Sequence, residues 1–160
     1  MPHTQEEFEK FVAQSFDFAR NNDTESLRIM LDAGLNVNLA NHKGNTLLML
    51  AAYNNSLEVA QMLLQRGAEV DKKNDKAQTP LAGVCFKGYK EMAELLLKYG
   101  ANPDEDNGLG LTPINCAIMF RHKEILKLLL AHSHKKLSIW QKIGLFFLGK
   151  FSKKEDSSHR

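Results

Sequence analysis

The chain has 160 residues, 43% apolar and 25% charged, the proportions of an ordinary folded domain rather than of a disordered or fibrous chain. A formal net charge of +2 gives no strong pull towards nucleic acid, and no apolar run approaches the ~18 residues of a membrane-crossing helix. The charge is uneven: from Lys135 onward seven Lys or Arg face only Glu155 and Asp156, a net of +5, which leaves 14 positive and 17 negative side chains, a net of −3, in residues 1–134.

In chain order, the polar opening Met-Pro-His-Thr-Gln-Glu-Glu is unlike a secretory leader. Within it, Thr4-Gln5-Glu6-Glu7 has the form of a capping box, which predicts an early start for the first helix. Phe11, Phe16 and Phe18 follow in that helix. From there a 33-residue period organises the chain. Gly34, Gly67 and Gly100 each close a leucine-rich run, and Ser133 takes the place of the next glycine. Thr46, Thr79 and Thr112 keep the same period, as do Glu25, Glu58, Glu91 and Glu124. The register defines blocks 8–40, 41–73, 74–106 and 107–139.

Each column has a physical reason. A threonine hydroxyl can cap a helix by accepting a backbone N–H from its first turn. Proline after Thr79 and Thr112 sits where a missing N–H costs nothing. A short first helix follows, with small residues such as Ala51, Ala52 and Ala82 for close packing. Asn22, Asn55 and Gly88 predict a tight turn with left-handed backbone angles. A second helix carries the leucines, including Leu63, Leu96 and Leu129, and the glycines end it in the left-handed position after the last turn. Such helix pairs cannot bury their apolar faces alone, so stacked neighbours must do it together.

Asn41-x-x-Gly44-x-Thr46-x-Leu48, Gln78-Thr79-Pro80-Leu81 and Leu111-Thr112-Pro113-Ile114 resemble the opening of the ankyrin repeat, and Leu63-Leu64-Gln65-Arg66-Gly67-Ala68-Glu69-Val70-Asp71 resembles its close. The resemblance covers roughly residues 8–134 and implies an all-α ankyrin-repeat solenoid: antiparallel helix pairs, finger-like loops on one edge, and a C-terminal helix added to the end. The repeat domain is placed at 1–136, the C-terminal helix at 137–151 and a disordered basic tail at 152–160. Block 8–40 lacks the Thr-Pro opening and reads as an N-terminal cap. The loss of the closing glycine at Ser133 makes the last repeat a C-terminal cap. The usual histidine after Thr-Pro-Leu is replaced by Met49, Ala82 and Asn115.

No catalytic constellation is visible: there is no phosphate-binding glycine loop, no His-Glu-x-x-His and no nucleophile elbow. The glutamate column spaces its members a whole repeat apart, so it is helix surface and not an acid–base pair. His132 and His134 lack further ligands in the sequence, so no metal is assigned. Cys85 and Cys116 match no metal or redox spacing and read as reduced core residues, which with the polar N-terminus predicts a cytoplasmic protein.

The resemblance implies binding through the fingers and the concave face of the first helices. On this chain the fingers are Asn41-His42-Lys43, Asn74-Asp75-Lys76 and Asn107-Gly108-Leu109, of which His42, Lys43, Asp75 and Lys76 are candidate contacts. The first-helix ends give Tyr53, Phe86 and Met119 in one column, widened by Phe120 and bordered by Asn54, Lys87 and Arg121. An apolar strip of this kind marks a protein-binding site if exposed, and core if tucked between repeats. The expected function is therefore a monomeric, non-enzymatic adaptor for another protein, with no cofactor. The resemblance leaves two other readings. One is a bacterial accessory that handles haem for an enzyme such as catalase, with Tyr53 as axial ligand. The other is a kinase-inhibitor-like ankyrin protein. Residues Ser138 to Phe151 are apolar and aromatic between lysines. They are expected to fold back on the last repeat with Trp140 shielded, the alternative being weak contact with a membrane surface or a partner groove.

Overall fold

A computed structural model describes residues 4–155, which form nine α-helices and no strand apart from a single bridge between Ala40 and Thr46. They are α1 (Gln5–Arg20), α2 (Thr24–Asp32), α3 (Leu47–Tyr53), α4 (Leu57–Gln65), α5 (Pro80–Lys87), α6 (Lys90–Lys98), α7 (Pro113–Met119), α8 (Lys123–His132) and α9 (Ile139–Glu155).

The local signals act as the sequence predicts. The Thr4 hydroxyl accepts the Glu7 N–H and the Glu7 carboxylate accepts the Thr4 N–H, so α1 opens with a capping box. The hydroxyls of Thr46, Thr79 and Thr112 accept the N–H of Met49, Ala82 and Asn115. Asn22, Asn55 and Gly88 turn the chain with φ of 59°, 57° and 83°, and Arg121 makes the fourth such turn at 60°. Gly34, Gly67 and Gly100 close their helices at φ of 101°, 85° and 87°, with open space where a Cβ would stand. At these three positions backbone angle alone demands glycine.

Two rows result. The first helices pack in the order α1, α3, α5, α7, and the second helices in the order α2, α4, α6, α8. Leu63, Leu96 and Leu129 are fully buried between them, with Leu27, Leu48, Leu81 and Ile114. Cys85 and Cys116 lie in this core as free thiols, and burial pushes both up, Cys85 also through the neighbouring Cys116.

Polar ties between repeats recur with the same period. The hydroxyl of Ser56 donates to the Arg20 carbonyl at 2.8 Å, and His122 Nε2 lies 3.3 Å from the Phe86 carbonyl, in place to donate to it when that nitrogen bears the hydrogen. Gly88 has a second reason to be glycine, since a Cβ there would stand 2.5 Å from the His122 ring. Asn38, Asp71 and Asp104 each accept a hydrogen bond from the next turn of the stack, from Glu69 N–H, Asn102 N–H and the Ser133 hydroxyl.

The end of the chain departs from the expectation in two ways. Helix α9 packs against α7, where a fifth first helix would stand. Gly144 permits this approach, because a Cβ would meet Ile118 Cγ2 at 2.5 Å. Gln141 donates to Asn115 Oδ1 at 2.8 Å, Leu148 is buried, and Leu145 packs against the core. The fold-back is therefore present, but Trp140 is 78% exposed rather than shielded. The side of α9 that meets α7 carries Gln141, Gly144 and Leu148; Trp140 lies one turn before Gly144, in the first turn of the helix, and stays in solvent. The helix also continues to Glu155, so residues 152–155, expected in a disordered tail, are helical, while 156–160 lie outside the described residues.

Candidate functional site

The first helices end in a row. Tyr53 is the last residue of α3, Phe86 and Lys87 close α5, and Met119 ends α7 with Phe120 as its cap. All four large apolar side chains are exposed: Tyr53 by 42%, Phe86 by 46%, Met119 by 63% and Phe120 by 43%. They are not core.

The row is also connected. Phe86 and Phe120 meet edge to face, with ring centroids 4.6 Å apart and planes at 80°. The Tyr53 ring leans on α5 at Gly83, where a Cβ would lie 3.1 Å from Tyr53 Cδ2. Lys87 Nζ lies 4.7 Å from the centre of the same ring, a cation–π contact. One tyrosine thus bridges two repeats, and one aromatic pair bridges the next two. Asn54 is exposed beside Tyr53 but gives an amide N–H to the Leu50 carbonyl at 2.8 Å, so half of its side chain serves its own helix.

The fingers present His42, Lys43, Asp75 and Lys76 to solvent. The first two fingers touch: the Asp75 N–H donates to the Lys43 carbonyl at 3.1 Å, and a Cβ on Gly44 would collide with Asp75. Asn41 and Asn74 shape their tips by accepting two backbone N–H groups each. The third finger is built differently. Asp106 takes over that role, accepting from Gly108 and Gly110, and Asn107 turns inward, where it is buried and accepts the Thr79 N–H at 2.6 Å. Asn107 is therefore a tie between fingers and not a tip. The exposed residue there is Leu109, held at φ 54°.

The glutamate column is helix surface, as expected. Glu58 is held down by the Asn22 amide, and Glu124 by Lys127. The feature that the sequence reading held only as its alternative is on α9. Ile139, Trp140, Ile143, Phe146 and Phe147 are all 41% exposed or more. Their helical spacing carried the signal, but the same residues also suited a buried cap. Among the described residues no three His, Cys, Asp or Glu side chains gather as a metal site would require, and no helix is long and apolar enough to cross a membrane.

Comparison with known proteins agrees with this architecture. The ankyrin repeat protein PA3287 of Pseudomonas aeruginosa is 48% identical over 52 residues, a stretch that covers 32% of this chain and 30% of that protein. The family model described as ankyrin repeats (3 copies) matches residues 16–74 and 66–140, most of the chain. Ankyrin repeats are in general protein–protein interaction modules without catalytic activity of their own. With two rows of stacked helices, threonine-capped openings and left-handed glycine closes in one register, the chain belongs to the ankyrin-repeat family.

Proposed function

We propose that the chain is a non-enzymatic, monomeric adaptor that seats a partner protein in the groove between its first helices and its fingers. The observation that supports this most is the exposed row Tyr53, Phe86, Met119 and Phe120. Exposed apolar side chains at equal positions of successive repeats make a ledge, since neighbouring helices lie about 10 Å apart. Ring contacts restrict Tyr53, Phe86 and Phe120, so a partner loses less by ordering them. Aromatic anchors of this kind dominate interface energies. His42, Lys43, Asp75 and Lys76 then form the polar rim on the finger side, with Lys87 and Asn54 at the edge of the ledge.

Tyr53→Ala and Phe86→Ala should each weaken partner binding by about 1–2 kcal/mol, as interface anchors do. Calorimetric titration of a partner isolated by pull-down from the source cell measures this. Because both rings are about half exposed, helix content by circular dichroism should stay the same. Unchanged affinity in both variants moves the site to the fingers. If Tyr53→Ala spares protein binding but removes a haem absorbance band, the haem-handling accessory replaces the adaptor.

A further inference from the structure

We infer that the outer face of α9 is a docking surface for an anionic lipid bilayer, with the ankyrin stack held above it. This does not rest on the groove reading, because the two surfaces share no residue.

Three observations carry it. Helix α9 is apolar on two sides. One side is used against α7 through Gly144, Leu145 and Leu148. The other presents Ile139, Trp140, Ile143, Phe146 and Phe147 to solvent, with Trp140 at 78% and Ile139 at 69% exposure. Packing of the last repeat therefore explains only half of the helix. Second, the stretch of chain that carries this face is rich in lysine. From Ile125 to Lys154 there is no Asp or Glu; Lys127 is paired with Glu124 and Lys135 reaches the Asp104 carbonyl, which leaves Lys136, Lys142, Lys150, Lys153 and Lys154 to the helix and its approach. Lys136 just before the helix and Lys142 in its first turn are exposed, and Lys150, Lys153 and Lys154 fall in its last turns by sequence. Third, the composition matches the boundary between headgroups and acyl chains, where tryptophan is favoured and lysine reaches acidic headgroups. A helix of this kind lies in the plane of the interface rather than across it, in keeping with the lack of a membrane-crossing helix among the described residues.

Charge selects the lipid surface over a second copy of the chain. Two copies joined through this face would bring two lysine-rich stretches together, whereas phosphatidylglycerol-type headgroups supply charge of the opposite sign.

Trp140 is the sole tryptophan, so its emission reports the contact directly. The full chain should show the spectrum of an exposed indole in buffer. It should shift to the blue and float with vesicles of phosphatidylcholine mixed with phosphatidylglycerol, and be released by salt. Phe146→Ser with Phe147→Ser should lower the vesicle-bound fraction by at least roughly tenfold, since two half-exposed rings lose their apolar burial. Lys142→Glu should lower it by roughly fivefold or more. Both variants should keep the parent's circular dichroism. The proposal is overturned if anionic vesicles leave the emission unchanged, if vesicles of phosphatidylcholine alone bind equally well, or if the variants float like the parent. It is equally overturned by a blue shift without lipid that grows with protein concentration alongside a dimer in light scattering, which makes the face a self-association surface.

Discussion

Asp71 stands in a column with Asn38 before it and Asp104 after it, and each accepts a hydrogen bond from the repeat that follows. Asp71 is the partly buried member with an unpartnered oxygen: Oδ2 accepts the Asn102 N–H, and Oδ1 is buried without a partner. Burial pushes its carboxyl above the ordinary carboxylate range. Glu105 adds to this, and the Asn102 bond and Lys73 oppose it. The folded chain therefore holds this proton more tightly than the unfolded chain does. The contribution is favourable in acid and is lost as pH rises through the folded-state value. Asp71→Asn keeps an acceptor for Asn102, as Asn38 does one repeat earlier, and removes the buried charge. Its urea midpoint at neutral pH should exceed the parent's, and the difference should vanish below the carboxylate range. The column itself was legible as a 33-residue spacing, but its role was not. An Asp and an Asn look like ordinary loop residues until the partner N–H of the next repeat is placed beside them. Threonine caps and closing glycines were readable because each answers a backbone requirement of its own helix. Side chains that act between repeats, such as Ser56, Asn107 and His122, answer to a neighbour some 30 residues away in sequence.

At the scale of elements, α9 is where the sequence carried two messages at once. Its apolar residues were sufficient to predict a helix folded on the last repeat, and that helix is present. They were not sufficient to assign faces, because aromatic residues occupy both sides and only the position of α7 decides which side is covered. The two glycines in α9 distinguish the sides by experiment. Gly149 has open space where a Cβ would stand, so Gly149→Ala should stabilise by about 0.5–1 kcal/mol through helix propensity alone. Gly144 has Ile118 Cγ2 2.5 Å from that point, so Gly144→Val should destabilise by about 1–3 kcal/mol, the usual cost of overpacking. Adding Ile118→Ala should recover part of that loss. Thermal melts of the three variants check the order, and equal effects at both glycines would mean that α9 does not rest on α7. The exposed ledge on α3, α5 and α7 presented the same ambiguity. Tyr53, Phe86 and Met119 fitted core or surface equally well by sequence, and the helix ends at which they sit placed them outside.

On the scale of the whole molecule, every tie described above joins a repeat to itself or to its immediate neighbour. Helix pairs touch along each row in order, and the polar bonds span about one period. Stability in such a stack is close to a sum of repeats and their interfaces. Ties of this kind, from one repeat to the next, do not distribute a load over the whole stack. Pulled from its two ends, it should yield one layer at a time rather than in a single rupture. Each released period of 33 residues adds roughly 110–120 Å of extended chain at the ~3.3–3.6 Å that a residue can span. Optical-tweezer traces should therefore show evenly spaced steps. The last layer is braced by α9, so its step should shift to lower force once Gly144→Val loosens that brace. Pulled from its two ends, a stack of this design is a spring whose extension is counted in repeats.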